Sequence, residues 1–229
     1  MKNKFSSTLA GASIFIAAFG FISKGLGFFR EILFASIYGL STGFDIYLIG
    51  AVLPLTINTI ILCLGQNYLI PAYNKIKETD DNLAKNFIRT NFYLFIIAGI
   101  ILSLILYLSS DLIISLYFQN SNHSLIQTAN NIFNLFLLSI PFTCGISVII
   151  AYQQSNFEFK YSIASQILPN IFVLITVFIF RKIDIYAIPI GFIIGTVFQI
   201  IFLLTKSKEL LLNQFGIISS FKQYKKLVS

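Results

Sequence analysis

The sequence has little of what a water-soluble enzyme is built from. Charged residues make up 11% of its 229 residues, and it contains one histidine, two cysteines and no tryptophan. A single histidine rules out a cluster of several histidines around a metal and leaves little material for a His-dependent triad. The sequence also lacks a glycine-rich phosphate loop, a paired acid dyad and a nucleophile elbow. We therefore expect no enzyme, no cofactor and no metal ion.

Long uncharged apolar runs take the place of these features. Hydrophobic residues make up 56% of the chain, and its mean hydropathy is +0.83. Neither Asp, Glu, Lys nor Arg occurs in residues 5–23, 46–74, 90–110, 112–157, 161–180 and 185–205. A spanning helix needs about 20 mostly apolar residues, and the polar residues 119–124 divide the longest run. The pattern predicts an all-α integral membrane protein with a bundle of about six transmembrane helices.

The net charge of the chain is +7, and its positive residues are placed in a way that indicates the membrane topology. Lys and Arg cluster before the first span, in the second and fourth connections and after the last span, and the third connection has neither. The positive-inside rule then places both termini in the cytoplasm, although Arg181 and Lys182 fall on the outer side and count against it. We predict a six-helix lobe over residues 1–206 and a basic amphipathic tail over 207–229, lying on the anionic cytoplasmic leaflet.

Three charges, Lys24, Arg30 and Glu31, fall inside or just beyond the first apolar run. An ionised side chain at the bilayer centre costs roughly 2.5–3.5 kcal/mol on insertion scales, which makes these residues the first candidates for function. Lys24 and Glu31 lie about 10 Å apart along a helix and share a face, so they can approach and neutralise each other. In the alternative interpretation, Arg30 and Glu31 snorkel at the outer interface and bind no ligand.

Cations that line an apolar chamber suit an anionic, amphiphilic ligand. Its phosphates would pair with Lys and Arg while its lipid tail stays in the bilayer. Prolines 54, 141, 169 and 189 favour bent helices around an aqueous cavity, although proline is also common in membrane helices generally.

Helix two is predicted to begin after Ser41-Thr42-Gly43 and to end near Pro71, followed by a solvated loop or surface helix over residues 72–89. Asp45 stands in this helix start, where Thr42-Gly43-Phe44-Asp45 has the spacing of a capping box. By spacing alone, capping is the favoured role of Asp45.

The motif in residues 23–31 (SKGLGFFRE), followed by Gly39, Asp45, Leu53-Pro54 and Pro71, resembles the opening helices of the MurJ/MviN family. Later patterns also resemble that family, namely Leu168-Pro169-Asn170 and then Gly191, Gly195 and Gln199. The family consists of lipid II flippases within the multidrug/oligosaccharidyl-lipid/polysaccharide exporter (MOP) superfamily. The resemblance implies the fold of its amino-terminal lobe.

The resemblance also implies a function. Family members move an undecaprenyl-pyrophosphate-linked peptidoglycan precursor across the bacterial inner membrane by alternating access, through a cationic central cavity. The family's two helix-one cations match Lys24 and Arg30, and its acidic positions match Glu31 and Asp45. A basic pair of the family falls near Asn58 and Thr59, which are neutral here. The expected substrate-binding residues are Lys24, Arg30, Glu31, Asp45 and Asn58.

The expected partners are a lipid-linked anionic substrate of the undecaprenyl pyrophosphate type, membrane lipids, and a second lobe or protomer that completes the cavity; nucleic acid is not expected. Family members have two lobes, and this chain matches the first, so the tail is expected to lead to a missing second lobe. Two other interpretations stay open. One is an O-antigen or capsule repeat-unit flippase, and the other is a non-transporting remnant or membrane scaffold.

Overall fold

The computed structural model describes residues 9–39, 41–117 and 123–207, with side chains from residue 18 onward except 19 and 181–183. The described chain is helical throughout and has no strand. The helices are α1 (Leu9–Tyr38), α2 (Thr42–Leu64), α3 (Ile70–Lys77), α4 (Asp81–Leu108), α5 (Ser110–Ser115), α6 (His123–Leu137), α7 (Ile140–Ser155), α8 (Phe159–Ser165), α9 (Leu168–Ile179) and α10 (Ala187–Lys206). A π-helical turn, Gly65–Leu69, joins α2 to α3, and a 3₁₀ turn, Arg181–Tyr186, precedes α10.

Five described segments are long and apolar enough to cross a membrane: Thr42–Lys77, Asp81–Leu108, His123–Ser155, Phe159–Ile179 and Asp184–Lys206. The remaining predicted span is α1, a helix of 30 residues in which side chains are described at residue 18 and from residue 20 onward. The predicted all-α membrane fold is therefore confirmed. The amphipathic tail predicted over 207–229 lies outside the described residues, apart from Ser207.

Residues 72–89, predicted as a solvated loop or surface helix, are helical except at 78–80, and residues 74–82 are mostly exposed. The prediction is wrong over residues 84–89, most of which are buried. The second segment continues as α3 to Lys77, and α4 already begins at Asp81. Asp80 caps α4, because its Oδ1 accepts hydrogen bonds from the amides of Asn82 and Leu83 at 2.8 and 3.2 Å. Ala84 and Ile88 in the first turns are fully buried. Asp81, Lys85 and Arg89 interrupt this stretch, so charge-free runs did not reveal its apolar face.

Two apolar clusters form the core. The first cluster contains Phe34 of α1, the buried face of α6, residues of α9 and the start of α10, and from α2 and α7 the residues Ile46, Tyr47, Ala51, Ile61, Ile140 and Cys144. The second cluster contains buried apolar residues of four helices and the π-helical turn: Leu69, Tyr73 of α3, Ala84, Phe87, Ile88 and Phe92 of α4, Ile146 and Val148 to Tyr152 of α7, and Ile200 and Leu203 of α10. The bundle is thus divided along its length into two halves.

Helices α9 and α10 pack more closely than any other pair of described helices, because glycines of α10 face α9. A Cβ atom added to Gly195 would lie 2.5 Å from the Cα atom of Pro169. Thr176 of α9 reinforces the pair by donating its hydroxyl to the carbonyl of Ala187 at 3.0 Å. Small residues at such interfaces let two membrane helices approach backbone to backbone.

Replacing Gly195 by alanine should separate α9 from α10. The added methyl group has no room, so we expect a loss of about 1–3 kcal/mol, the usual cost of overpacking a core. The melting temperature in detergent micelles measures the effect. Gly25→Ala is the matched control, since nothing lies within 4 Å of a Cβ atom there. Equal melting temperatures for both variants would contradict the packing described.

Candidate functional site

A cleft of about 330 Å³ lies between α1 and α2. Helix α1 contributes the charged side chains of Arg30 and Glu31. Helix α2 contributes the opposite wall, formed by Tyr47, Leu48, Ala51, Val52, Leu55, Thr56 and Thr59. The cleft therefore combines an ion pair on one side with an aliphatic surface and two hydroxyls on the other.

Arg30 is the central group of the cleft. Its Nη2 lies 2.6 Å from Oε1 of Glu31, and its Nε donates to the same oxygen at 3.2 Å. Its Nη1 donates to Oδ1 of Asn170 on α9 at 2.9 Å. The guanidinium carbon also lies 5.7 Å from the ring centroid of Phe34, a cation–π distance. Arg30 thus connects α1 to α9 while its side chain stays 21% exposed to the cleft.

Aromatic packing fixes the position of α1 beside α2. Phe34 is fully buried and makes edge-to-face contacts with Tyr38, Phe44 and Tyr47, with ring centroids 6.2–6.4 Å apart. The Tyr38 hydroxyl donates to the carbonyl of Asp184 at 3.2 Å. These contacts hold the end of α1 in place one turn beyond Arg30, so the cleft opens next to a rigid corner.

Glu31 lies in the cleft as predicted, but its ion-pair partner differs from the prediction. It pairs with the adjacent Arg30 rather than with Lys24. Lys24 is exposed on α1 and does not line the cleft. Lys24 lies about 9 Å before Arg30 along the helix axis. Its role as a substrate ligand stays a prediction.

The predicted capping box at Asp45 is wrong by one position. Ser41, not Thr42, is the N-cap of α2, and its Oγ accepts a hydrogen bond from the amide of Phe44 at 3.3 Å. The residue three positions after this cap is therefore Phe44, and Asp45 falls one further along. Its exposed carboxylate is in the first turn, where the helix dipole favours a negative charge. Asp45 precedes the cleft residue Leu48 by about one turn.

Asn58 does not line the cleft. It is 4% exposed, and its Nδ2 donates to Oγ of Ser139 at the break between α6 and α7, at 2.8 Å. The cleft is lined instead by its neighbours Thr56 and Thr59. Helical spacing from Leu48 and Val52 would have identified these two threonines, because residues three or four apart share a face.

Asn170 is the site residue whose role the sequence did not reveal. It lies 140 positions after Arg30, and no local pattern links two residues so far apart. A polar residue following the Leu168-Pro169 pair was the available signal. Pro169 is the second residue of α9, and Asn170 lies in the first turn of that helix, facing α1.

Comparisons with known proteins agree with this architecture. The family model described as "Lipid II flippase MurJ" matches residues 34–228, a range that begins after the charged motif of α1. The lipid II flippase MurJ of Thermosipho africanus is 28% identical over 190 residues, which cover 81% of this chain and 39% of that protein. A solved structure titled "Lipid II flippase MurJ, inward closed conformation" superposes with a TM-score of 0.71 at 24% identity.

That structural match covers 93% of this chain and 46% of the solved chain. The chain therefore spans less than half the length of either relative. The predicted resemblance to the amino-terminal lobe is confirmed by the family model and by the fold. This chain belongs to the lipid II flippase MurJ family, whose members are multi-pass proteins of the inner membrane.

Proposed function

We propose that this chain acts as the amino-terminal lobe of a flippase that moves an undecaprenyl-pyrophosphate-linked peptidoglycan precursor, lipid II, across the inner membrane. The observation that carries the proposal is the position of Arg30. Its guanidinium faces a cleft inside an apolar bundle, where an ionised side chain without a function is costly.

Arg30 has the chemistry to hold a diphosphate. Guanidinium carries five N–H donors, and three of them are used in the bonds to Glu31 and Asn170. Phosphate oxygens match the planar fork of these donors and form bidentate, charge-assisted hydrogen bonds. Lys24, on the same helix, supplies a second positive charge for a headgroup that extends along α1.

The opposite wall suits the lipid part of the same ligand. Leu48, Val52 and Leu55 present an aliphatic surface to the cleft, and a polyprenyl chain would lie against it without losing hydrophobic contact. The cleft thus divides a ligand into a charged end at α1 and an apolar end at α2. This division is what a lipid-linked diphosphate requires.

One face of α2 and of the π-helical turn after it extends the cleft as a polar track. Thr56, Thr59, Cys63 and Asn67 are all exposed, and their spacing of three and four residues keeps them on one helix face over about 16 Å. The exposed carboxamide of Asn67 belongs to a segment with a mean hydropathy of 2.1. A carboxamide that faced hydrocarbon there would be unfavourable. We therefore assign this face to water, as a path for the headgroup.

Alternating access requires a second element that rocks against this lobe. The proposal includes a second lobe or protomer that closes the open side of the cleft, and it places both termini in the cytoplasm by the positive-inside rule. The neutral Asn58 and Thr59 favour a second candidate, a flippase for O-antigen or capsule repeat units. Such lipids carry the same undecaprenyl pyrophosphate, so a flippase can distinguish them from lipid II only by the sugar part of the headgroup.

Arg30→Gln should weaken binding of undecaprenyl pyrophosphate to the chain in nanodiscs. Loss of hydrogen bonds to a charged group costs about 1.5–3 kcal/mol, which is roughly a ten- to hundredfold rise in Kd. Lys206→Gln is the matched control, because Lys206 is an exposed cation over the ring of Tyr161, at the end of α10. Undecaprenol, which has no phosphate, should bind both variants equally.

Equal affinity of the native chain and Arg30→Gln would overturn the proposed site and favour a scaffold. Competition between lipid II and an O-antigen repeat-unit lipid decides between the two flippase candidates. Depletion of the protein in its host should then stall peptidoglycan synthesis with lipid II trapped on the inner side. Normal wall growth after depletion would exclude lipid II as the substrate.

The native Cys63 reports directly on the polar track. A membrane-impermeant maleimide should label Cys63 in proteoliposomes, because its face is in water, and should spare the buried Cys144. Leu64→Cys, placed in a Cys63→Ser background, is the control, since Leu64 is 57% exposed but apolar and is turned by about 100° from Cys63 around the helix. Labelling of Leu64→Cys as fast as Cys63 would show that the track is not a distinct aqueous face.

A further inference from the structure

The two apolar clusters meet at one level of the bundle. Four helices cross this level, namely α2, α4, α7 and α10. Along α2 and the π-helical turn that follows it, Ile61 is the last buried member of the first cluster and Leu69 the first of the second. Along α7 the change occurs between Cys144 and Ile146. Helices α4 and α10 also run from one cluster to the other. We call this level the waist.

Helix α2 changes its hydrogen bonding at the waist. Gly65–Leu69 forms a π-helical turn between two α-helical segments. Such turns are rare, have a wider and weaker hydrogen-bond pattern, and occur frequently at functional sites. Pro71 explains its position, because proline offers no amide hydrogen and its ring displaces the carbonyl four residues earlier, that of Asn67.

Glycines mark the same level on the neighbouring helices. A Cβ atom on Gly65 would lie 2.7 Å from Cβ of Ser147, and one on Gly99 would lie 2.7 Å from Sγ of Cys144. A Cβ atom on Gly145 would lie 2.9 Å from Cδ1 of Ile200. Backbones therefore approach each other closely at this level, without bulky side chains at these glycine positions.

The segment formed by α8 and α9 is also interrupted at this level. Helix α8 ends at Ser165 and α9 begins at Leu168. Nε2 of Gln199, next to Ile200 on α10, donates to Oγ of Ser165 at 3.3 Å. A weakened turn in α2, a break between α8 and α9, and close glycine contacts thus lie together at one level.

We infer that the bundle is jointed at the waist. The half that carries the cleft tilts on the other half, with the π-helical turn as the hinge of α2 and the contact of Gly65 with Ser147 as its pivot. Each cluster moves as a unit, because tight packing within it resists deformation. This motion changes the opening of the cleft without breaking the aromatic corner around Phe34. It goes beyond the proposed function, since it requires no particular ligand.

Distances between spin labels in proteoliposomes test the joint. Labels at Leu116 and Glu78, both exposed, report across the waist, and labels at Leu116 and Ile179 report within the first half. In a Cys63→Ser background, we expect a broader distance distribution for the first pair. Pro71→Ala should narrow and shift that distribution, because it restores the missing donor, and should leave the second pair unchanged.

Pro54→Ala is the matched control, since Pro54 lies in α2 within the first half and away from the π-helical turn. It should leave both distributions unchanged. Equally narrow distributions for the two pairs, unaffected by Pro71→Ala, would overturn the joint. Hydrogen exchange on the native chain decides if the variant does not fold: the amides of Gly65–Leu69 should exchange faster than those of residues 55–59. Slower exchange there would also overturn the joint.

Discussion

The structure of the cleft depends on how a guanidinium is neutralised inside an apolar bundle. Arg30 is satisfied by one carboxylate on its own helix and by one amide oxygen on α9. The same hydrogen bond to Asn170 ties α1 to the rest of the bundle. A ligand that takes up the donors of Arg30 therefore competes with the groups that position α1. We expect binding at this residue and movement of α1 to be coupled for that reason.

Helix α2 has one face packed against other helices and one face on the cleft, because the helical period of 3.6 residues places the two sets of residues on different faces. Gly50 and Asn58 face α6 and the break before α7, where a Cβ atom on Gly50 would lie 2.7 Å from the carbonyl of Ala129. Thr56 and Thr59 face the cleft. Their hydroxyls bond to carbonyls four residues earlier in the same helix, at 2.7 and 2.9 Å. The packed face fixes the helix, and the other face is free to meet a ligand.

The sequence predicted the membrane fold well because the physical signal is strong. Hydrocarbon admits few charges, so charge-free runs located the crossing helices, and the cost of burying Arg30 and Glu31 pointed to the cleft. Features that depend on three-dimensional placement were not accessible. The resemblance to the family brought attention to Asn58 but did not show that this residue packs against Ser139 at the break between α6 and α7. Arg30 and Asn170 meet only through the fold.

Errors at helix ends had local causes. Ser41 and Thr42 are both good capping residues, and spacing alone favoured the wrong one. The start of α4 carries charges between its buried positions, which made it resemble a loop. The π-helical turn has no reliable sequence pattern, although Pro71 marked its neighbourhood.

The most direct test of this account is whether a phosphorus atom approaches the guanidinium of Arg30. The chain has three arginines, Arg30, Arg89 and Arg181, so ¹⁵N-labelled arginine gives few guanidinium signals. With undecaprenyl pyrophosphate in the bilayer, solid-state NMR should show dipolar coupling between ³¹P and a guanidinium nitrogen, and Arg30→Lys should abolish it. Coupling that survives in Arg30→Lys, or no coupling in the native chain, would contradict the account.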